Sequence, residues 1–374
     1  MITIDKACLA ENIDRIAQYD LDNHKVFGSA YFVYCQGDSY EKCYGTTSLT
    51  SNEAITDTTL FRLASMTKPI TAVATLILME RGLLSLEDSV DKFLPEFKGV
   101  KIKTASGEES VPHSLPTIKN ILTHTSGIGS DAEKLAVMRD EDNATLDSAI
   151  AFYVKSGLDF EPGSMQAYSG TGAFDVLTKI IEKVTGEDYL RFLEREIFVP
   201  CDMRDTTFLP TAEQQQRMVA MHNRVNGENA VVEMPKGCVF GNVPSTHYLG
   251  GAGLVSTLRD YCNFAKMLLN KGKTNNGAIL REESVALLSS AQVSKEIMLG
   301  STRWGLGVRV IVDRSHPDLP QGCFGWSGAY GSHFWIDPEN DIFAVYMKNS
   351  HYDGGAGNES ANKFEEAVYH SSVR

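Results

Sequence analysis

The chain is 374 residues long, 43% hydrophobic and 22% charged, with 35 basic against 48 acidic side chains and a formal net charge of −13. These proportions describe an ordinary soluble protein that can bury a sizeable core, in one large domain or in two or three smaller ones. The acidic excess argues against nucleic acid or an anionic membrane as the main partner, and no apolar run approaches a membrane span.

Seven cysteines, odd in number and without a Cys-x-x-Cys pair, fit structural thiols in a reducing compartment. The opening stretch, MITIDKACLAENIDRIAQYD, mixes charged and apolar residues as an amphipathic helix does. It has no basic segment followed by an apolar run, so a cytoplasmic location is expected.

Residues 26–35 and 39–45 then read as two aromatic and β-branched strands around a Gln36-Gly37-Asp38 hairpin loop. Phe61 to Gly82, FRLASMTKPITAVATLILMERG, reads as a helix. It is apolar nearly all round from Ala72 to Met79, which places it inside a core. Pro69 falls in its first turn, where a missing N–H costs little. Residues 83–97 form a polar connection and 98–116 an exposed excursion carrying Gly99, Gly107 and Pro112. A short helix over 115–123 ends in the turn His124-Thr125-Ser126-Gly127.

A polar helix is expected over 132–155, a stop at Glu161-Pro162-Gly163, and helices over 171–185 and 189–198. Gly250-Gly251-Ala252-Gly253 permits close backbone approach, and Thr257 with Asp260 opens a helix running to about Leu269. Residues 303–312, 322–336 and 341–349 alternate as strands, and Glu359 to His370 closes as a helix. Strands at both ends with helices between predict one sheet domain, 1–90 and 245–374, interrupted by a mostly helical insertion over 91–244.

Ser-x-x-Lys occurs four times, beginning at Ser39, Ser65, Ser89 and Ser360. The spacing alone is weak, because a solvated lysine near a capping serine produces it too. Ser39 and Lys42 fall in a strand, where that spacing puts side chains on opposite faces. Ser89 and Lys92 lie in a polar turn, and Ser360 and Lys363 on a charged terminal helix. Only Ser65 and Lys68 share one face at the amino end of an apolar helix, where the dipole's positive end points at the serine. Burial disfavours a charged lysine, so Lys68 is a candidate base for a Ser65 nucleophile. No Gly-x-Ser-x-Gly is present, since Ala329 ends the stretch from Gly325, and no metal-ligand spacing is found.

Five ordered segments carry a resemblance: FRLASMTKPITAVATLILMERGLLSLEDSV, LTHTSGI, PGSMQAYSGTG, GGAGLVSTLRDYCNFAKMLL and GWSGAYGSHFWIDP. Together, over roughly residues 25 to 350, they resemble the serine β-lactamase-related hydrolases: class C β-lactamases, D-stereospecific peptidases and family VIII carboxylesterases. The resemblance implies an α+β fold, an antiparallel sheet flanked by helices, with the active site between the sheet and the inserted helical domain. It implies Ser65 as acylated nucleophile, Lys68 as its base partner and Tyr168 as the proton relay to the leaving group. The backbone N–H groups of Ser65 and Ala329 would form the oxyanion hole. Trp326, Ser327 and Gly328 would line the opposite wall, with Gly170 at the end of the tyrosine motif facing substrate. His333, close to these residues in sequence, is a candidate substrate contact, the alternative being a ring that packs beside Trp335. No cofactor is implied.

Two departures narrow the substrate. Gly170 stands where the β-lactamases carry Asn, and Trp326 where they carry Lys or His; those groups orient an anionic β-lactam. The expectation is therefore a serine hydrolase cleaving small-molecule carboxylic esters through an acyl-enzyme. The alternatives are a D-amino-acid amidase or peptidase, a weak β-lactamase, or a non-catalytic penicillin-binding-like protein. Oligomeric state has no legible signature.

Overall fold

A computed structural model describes residues 2–373 except 104–105, 140, 143, 232–246 and 356. Cys238 and the expected boundary at 244–245 lie outside the described residues. The principal elements are, in chain order, helix α1 (Lys6–Asp22), the strands β1 (Gly28–Cys35), β2 (Asp38–Gly45) and β3 (Leu60–Arg62), and helix α2 (Thr67–Glu80). Helices α3 (Ile118–Leu122), α4 (Leu146–Ser156) and α5 (Gly172–Thr185) follow. Next come β4 (Val255–Thr257), helix α6 (Leu258–Leu269) and the strands β5 (Thr302–Trp304), β6 (Arg309–Ile311), β7 (Phe324–Ser327), β8 (His333–Asp337) and β9 (Ile342–Met347). Helix α7 (Glu359–His370) closes the series.

Seven of these strands form one antiparallel sheet, in the order β5-β6-β7-β8-β9-β1-β2. The alternation along β1 explains how the sheet is covered on both sides. Tyr31 and Val33 face a core shared with Leu9, Ile13 and Ala17 of α1 and Phe364 and Val368 of α7. Ala30, one residue before Tyr31 and so on the opposite side of the strand, faces the larger core with Phe334 and Val345 of the sheet, Phe264 of α6 and most of α2. A strand period of two sorts one run of residues onto two layers in this way. The expected α+β architecture is the observed one.

Three segments differ from the reading above. The stretch over 132–155 is two helices, Ala132–Leu135 and α4, because Thr145 and Ser148 form a reciprocal capping box that starts a new helix. The stretch over 303–312 is a hairpin: Gly307, at φ +72°, turns the chain between β5 and β6. Its turn packs so closely on α2 that a Cβ there would lie 2.8 Å from the Ala72 Cβ. The third difference is at Ser65, which precedes α2 instead of lying within it.

Candidate active site

β3 pairs with β4, Phe61 opposite Ser256. The chain then turns sharply at Leu63–Met66 and enters α2. Ala64 has φ +46°, the left-handed region, which costs a residue with a Cβ about 1–2 kcal/mol. Tertiary hydrogen bonds hold the turn: Leu63 N donates to Leu254 O (2.9 Å) and Tyr261 Oη to Met66 O (2.9 Å). Leu254 N in turn donates to Thr67 Oγ1 (3.2 Å). Ser65 therefore sits in a short 3-10 turn on top of α2, 9% exposed.

α2 is buried from Thr67 to Leu78, and Lys68 is fully buried in its first turn. Lys68 Nζ donates to the carbonyl oxygens of Gly170 (2.7 Å) and Gly251 (2.9 Å) and lies 3.4 Å from Ser65 Oγ. A tetrahedral nitrogen with two positions spent on carbonyls has one left along the serine. That position is an N–H in the ammonium form and a lone pair in the amine form. Glycine at 251 leaves room for this approach: a Cβ there would crowd it, at 3.0 Å from Gly170 O and 3.2 Å from Lys68 Nζ. Gly170 takes part through its carbonyl, and its own Cβ position faces open space.

Tyr168 is 37% exposed, and its ring centre lies 4.8 Å from Lys68 Nζ. Its oxygen accepts from Trp326 Nε1 at 3.4 Å and makes no hydrogen bond with Ser65 or Lys68 among the described residues. Trp304, which the sequence reading passed over as a strand residue, completes an aromatic wall. It stacks on Tyr168 at 6.0 Å and meets Trp326 edge-on at 4.7 Å, while its own Nε1 donates to Gln166 Oε1 at 3.1 Å.

The turn at 124–127 supports the Tyr168 loop from behind. Ala167 N donates to His124 O (3.0 Å) and Ser169 N to His124 Nδ1 (3.2 Å). Burial, with the Lys68 charge, holds His124 well below the ordinary histidine range, so it stays neutral and carries its proton on Nε2. Its ring packs on Tyr168 (4.5 Å) and Trp304 (4.4 Å).

On the opposite side, β7 delivers Trp326, Ser327 and Gly328. Gly328 packs against the turn before the serine, since a Cβ there would collide with the Leu63 carbonyl and Ser332 Oγ. Gly328 N donates to Ser332 O (2.7 Å). The Ala329 N–H, inside that tight turn, meets no acceptor among the described residues. His333 is buried, with both ring nitrogens engaged by protein groups, Ser327 Oγ and Glu365 Oε1. The structure thus brings together Ser65, Lys68, the Gly170 carbonyl, the Tyr168 ring and Trp326, and sets His333 behind Ser327. A buried serine–lysine contact with a neighbouring phenol and an unpaired backbone N–H can support attack on a carbonyl, proton transfer and oxyanion binding.

Asp175, in the first turn of α5, was missed because nothing near it in sequence marks it. Burial pushes its carboxyl up to about 8, against the opposing pull of the Tyr153 hydroxyl (3.1 Å) and the Lys68 charge. The folded state therefore holds a proton that the unfolded state, near 3.8, has released. The stability this contributes is fully present below about pH 4 and lost as pH rises through about 8. Asp175→Asn should flatten that dependence and raise Tm by roughly 5 °C on the alkaline side. Calorimetric scans across pH check it; parallel curves for the two proteins would refute it.

The Beta-lactamase family model matches residues 13–367. The chain is 29% identical over 390 residues to esterase EstB of Burkholderia gladioli, covering 95% of this chain and 94% of that one. It is 31% identical over 312 residues to an uncharacterized protein of Mycobacterium tuberculosis, covering 77% of each. Among solved structures, EstCE1, a hydrolase with promiscuous acyltransferase activity, aligns at TM-score 0.83 and 25% identity over 97% of this chain and 99% of that one. Simvastatin synthase LovD of Aspergillus terreus shares the fold at TM-score 0.80 and 19% identity, over 96% and 98% of the two chains. No helix among the described residues is long and apolar enough to cross a membrane. With a family match over nearly its whole length and an esterase relative of the same extent, the chain belongs to the Beta-lactamase family of serine hydrolases.

Proposed function

We propose that the protein hydrolyses small-molecule carboxylic esters through an acyl-enzyme on Ser65. Ser65 Oγ attacks the ester carbonyl and its proton passes to the amine form of Lys68, along the one nitrogen position the two carbonyls leave open. The N–H groups of Ser65 and Ala329 stabilise the oxyanion. Tyr168 carries the proton to the departing alkoxide after a rotation that moves its oxygen off Trp326. Water then attacks the acyl carbonyl and releases the acid and free Ser65. The cleft lies between the sheet domain, 1–90 and 245–374, and the helical insertion, 91–244.

The observation that carries the ester reading is the indole at 326. Trp326 packs with Tyr168 and Trp304 (5.5 and 4.7 Å) where a β-lactam carboxylate would need a cation. An apolar wall stabilises an uncharged acyl or alkoxy group and leaves an anion unpaired. The similarity to EstB supports the same reading. The test is a panel of p-nitrophenyl butyrate, a D-aminoacyl p-nitroanilide and a chromogenic cephalosporin. The ester should lead in kcat/KM by at least about a hundredfold. A lead for either of the others would replace this reading, and no turnover of any would favour a binding protein.

Gly251 tests the lysine geometry separately. Gly251→Ala wedges a methyl between Gly170 O and Lys68 Nζ, so kcat for the ester should fall by about 10- to 100-fold with little change in KM. An unchanged kcat would show that the two-carbonyl clamp does not matter.

A further inference from the structure

The Ser65 and Ala329 N–H groups belong to two separate turns, and one short segment holds both turns. Ser65 follows Arg62, the last residue of β3, and Ala329 lies in the turn that follows β7. Beyond Met347, its last paired residue, β9 runs on as Lys348, Asn349 and Ser350, all buried. Each of these residues meets one of the turns or the strand that feeds it.

Asn349 meets β3 through its side chain. One edge of β3 pairs with β4; on the other, Leu60 N donates to Arg217 O (3.0 Å) and Val219 N to Leu60 O (2.9 Å). Two residues on, that same edge presents the N–H and carbonyl of Arg62, and the Asn349 amide stands there in place of a strand. Arg62 N donates to Asn349 Oδ1 (2.8 Å), and Asn349 Nδ2 donates to Arg62 O (3.0 Å). Nδ2 also donates to Lys348 O (2.7 Å). A backbone N–H only donates, so the amide faces Arg62 in a single orientation and both of its hydrogens are spent.

Ser350 and Lys348 meet the other turn. Ser350 N donates to the carbonyl oxygen of Tyr330, the residue next to Ala329 (2.9 Å). The Lys348 stem lies against Gly331, where a Cβ would be 2.2 Å from Lys348 Cε. Gly331, at φ +98°, donates to Gly328 O (2.9 Å) and closes the turn. Ser332 Oγ donates across to Leu63 O (3.2 Å), so the two turns touch. Asn349 thus grips the serine side while its two neighbours grip the Ala329 side.

We propose that Asn349 is a positioning residue whose amide sets the separation and angle between the Ser65 and Ala329 N–H groups. The inference rests on the ester reading, in which both groups bind the oxyanion. Two donors stabilise a developing charge fully only when both point at one oxygen, and a displacement of about 1 Å costs up to about a hundredfold in rate. Contacts from consecutive residues leave little slack, because the backbone between them has fixed dimensions. Acylation and deacylation place their oxyanions at the same two N–H groups, so the clasp serves both steps.

The experiment removes the amide and keeps its bulk. With p-nitrophenyl acetate, Asn349→Leu should lower the burst rate and kcat alike by about 10- to 100-fold, with KM within about threefold of wild type. The infrared stretch of an isotope-labelled acyl carbonyl on Ser65 should rise toward that of the free ester, because the carbonyl loses N–H polarisation. Asn349→Ala removes the same bonds without the leucine's branches and carries the test if Asn349→Leu does not fold. A residue that only stabilises the fold gives a lower Tm with the wild-type carbonyl band and an unchanged burst rate for the folded protein. That result would overturn the proposal and leave the ester reading standing. Absence of any acyl adduct on wild-type Ser65 would overturn the ester reading itself, and the role of Asn349 with it.

Discussion

Lys68→Met should slow acylation of Ser65 by about four orders of magnitude. Methionine fills the lysine's volume in a buried helix and keeps the core packed, so the loss reports chemistry more than collapse. The Gly170 and Gly251 carbonyls each lose a donor, which costs about 1–3 kcal/mol per group and should lower Tm. Without an amine beside Oγ, the serine has to lose its proton to water. Stopped-flow release of p-nitrophenol from the acetate ester measures the step directly. A burst rate within tenfold of wild type would remove Lys68 as the base.

Tyr168→Phe should divide substrates by leaving group. The substitution keeps the ring that stacks on Trp304 and lies over Lys68, and deletes only the oxygen bound by Trp326. An alkoxide departs poorly without a proton, so methyl and ethyl esters should lose about 10²- to 10³-fold in kcat/KM. p-Nitrophenolate needs no proton to leave, so its burst should fall by less than about tenfold. A uniform loss across both classes would assign the phenol to positioning. No loss in either would place the relay elsewhere, consistent with the absence of a Tyr168 hydrogen bond to Ser65 or Lys68 in this structure.

The sequence made some features readable and hid others for physical reasons. The closing helix is legible to the residue, 359–370, because Asn358 caps it and an apolar stripe repeats through it. Ser65 and Lys68 stand out because an apolar helix follows them. The 3-10 turn that carries Ser65 was invisible, since the left-handed residue before it is Ala64, where a pattern reader looks for Gly or Asn. The Thr145–Ser148 capping box lay inside a stretch polar enough to read as one helix. Trp304 and Trp326 are far apart in sequence, and only the β5–β6–β7 pairing brings their rings together. Glu365 and His333 meet because α7 packs across the sheet, a contact between distant elements that no local pattern encodes.

The central claim is that an ester's acyl group rests on one particular hydroxyl. Mass spectrometry of the protein quenched during the p-nitrophenyl butyrate burst, followed by peptide mapping, tests it. The prediction is a single added butyryl group on the peptide bearing Ser65, absent from Ser65→Ala. A butyryl group on another residue, or turnover in Ser65→Ala equal to wild type, would contradict it.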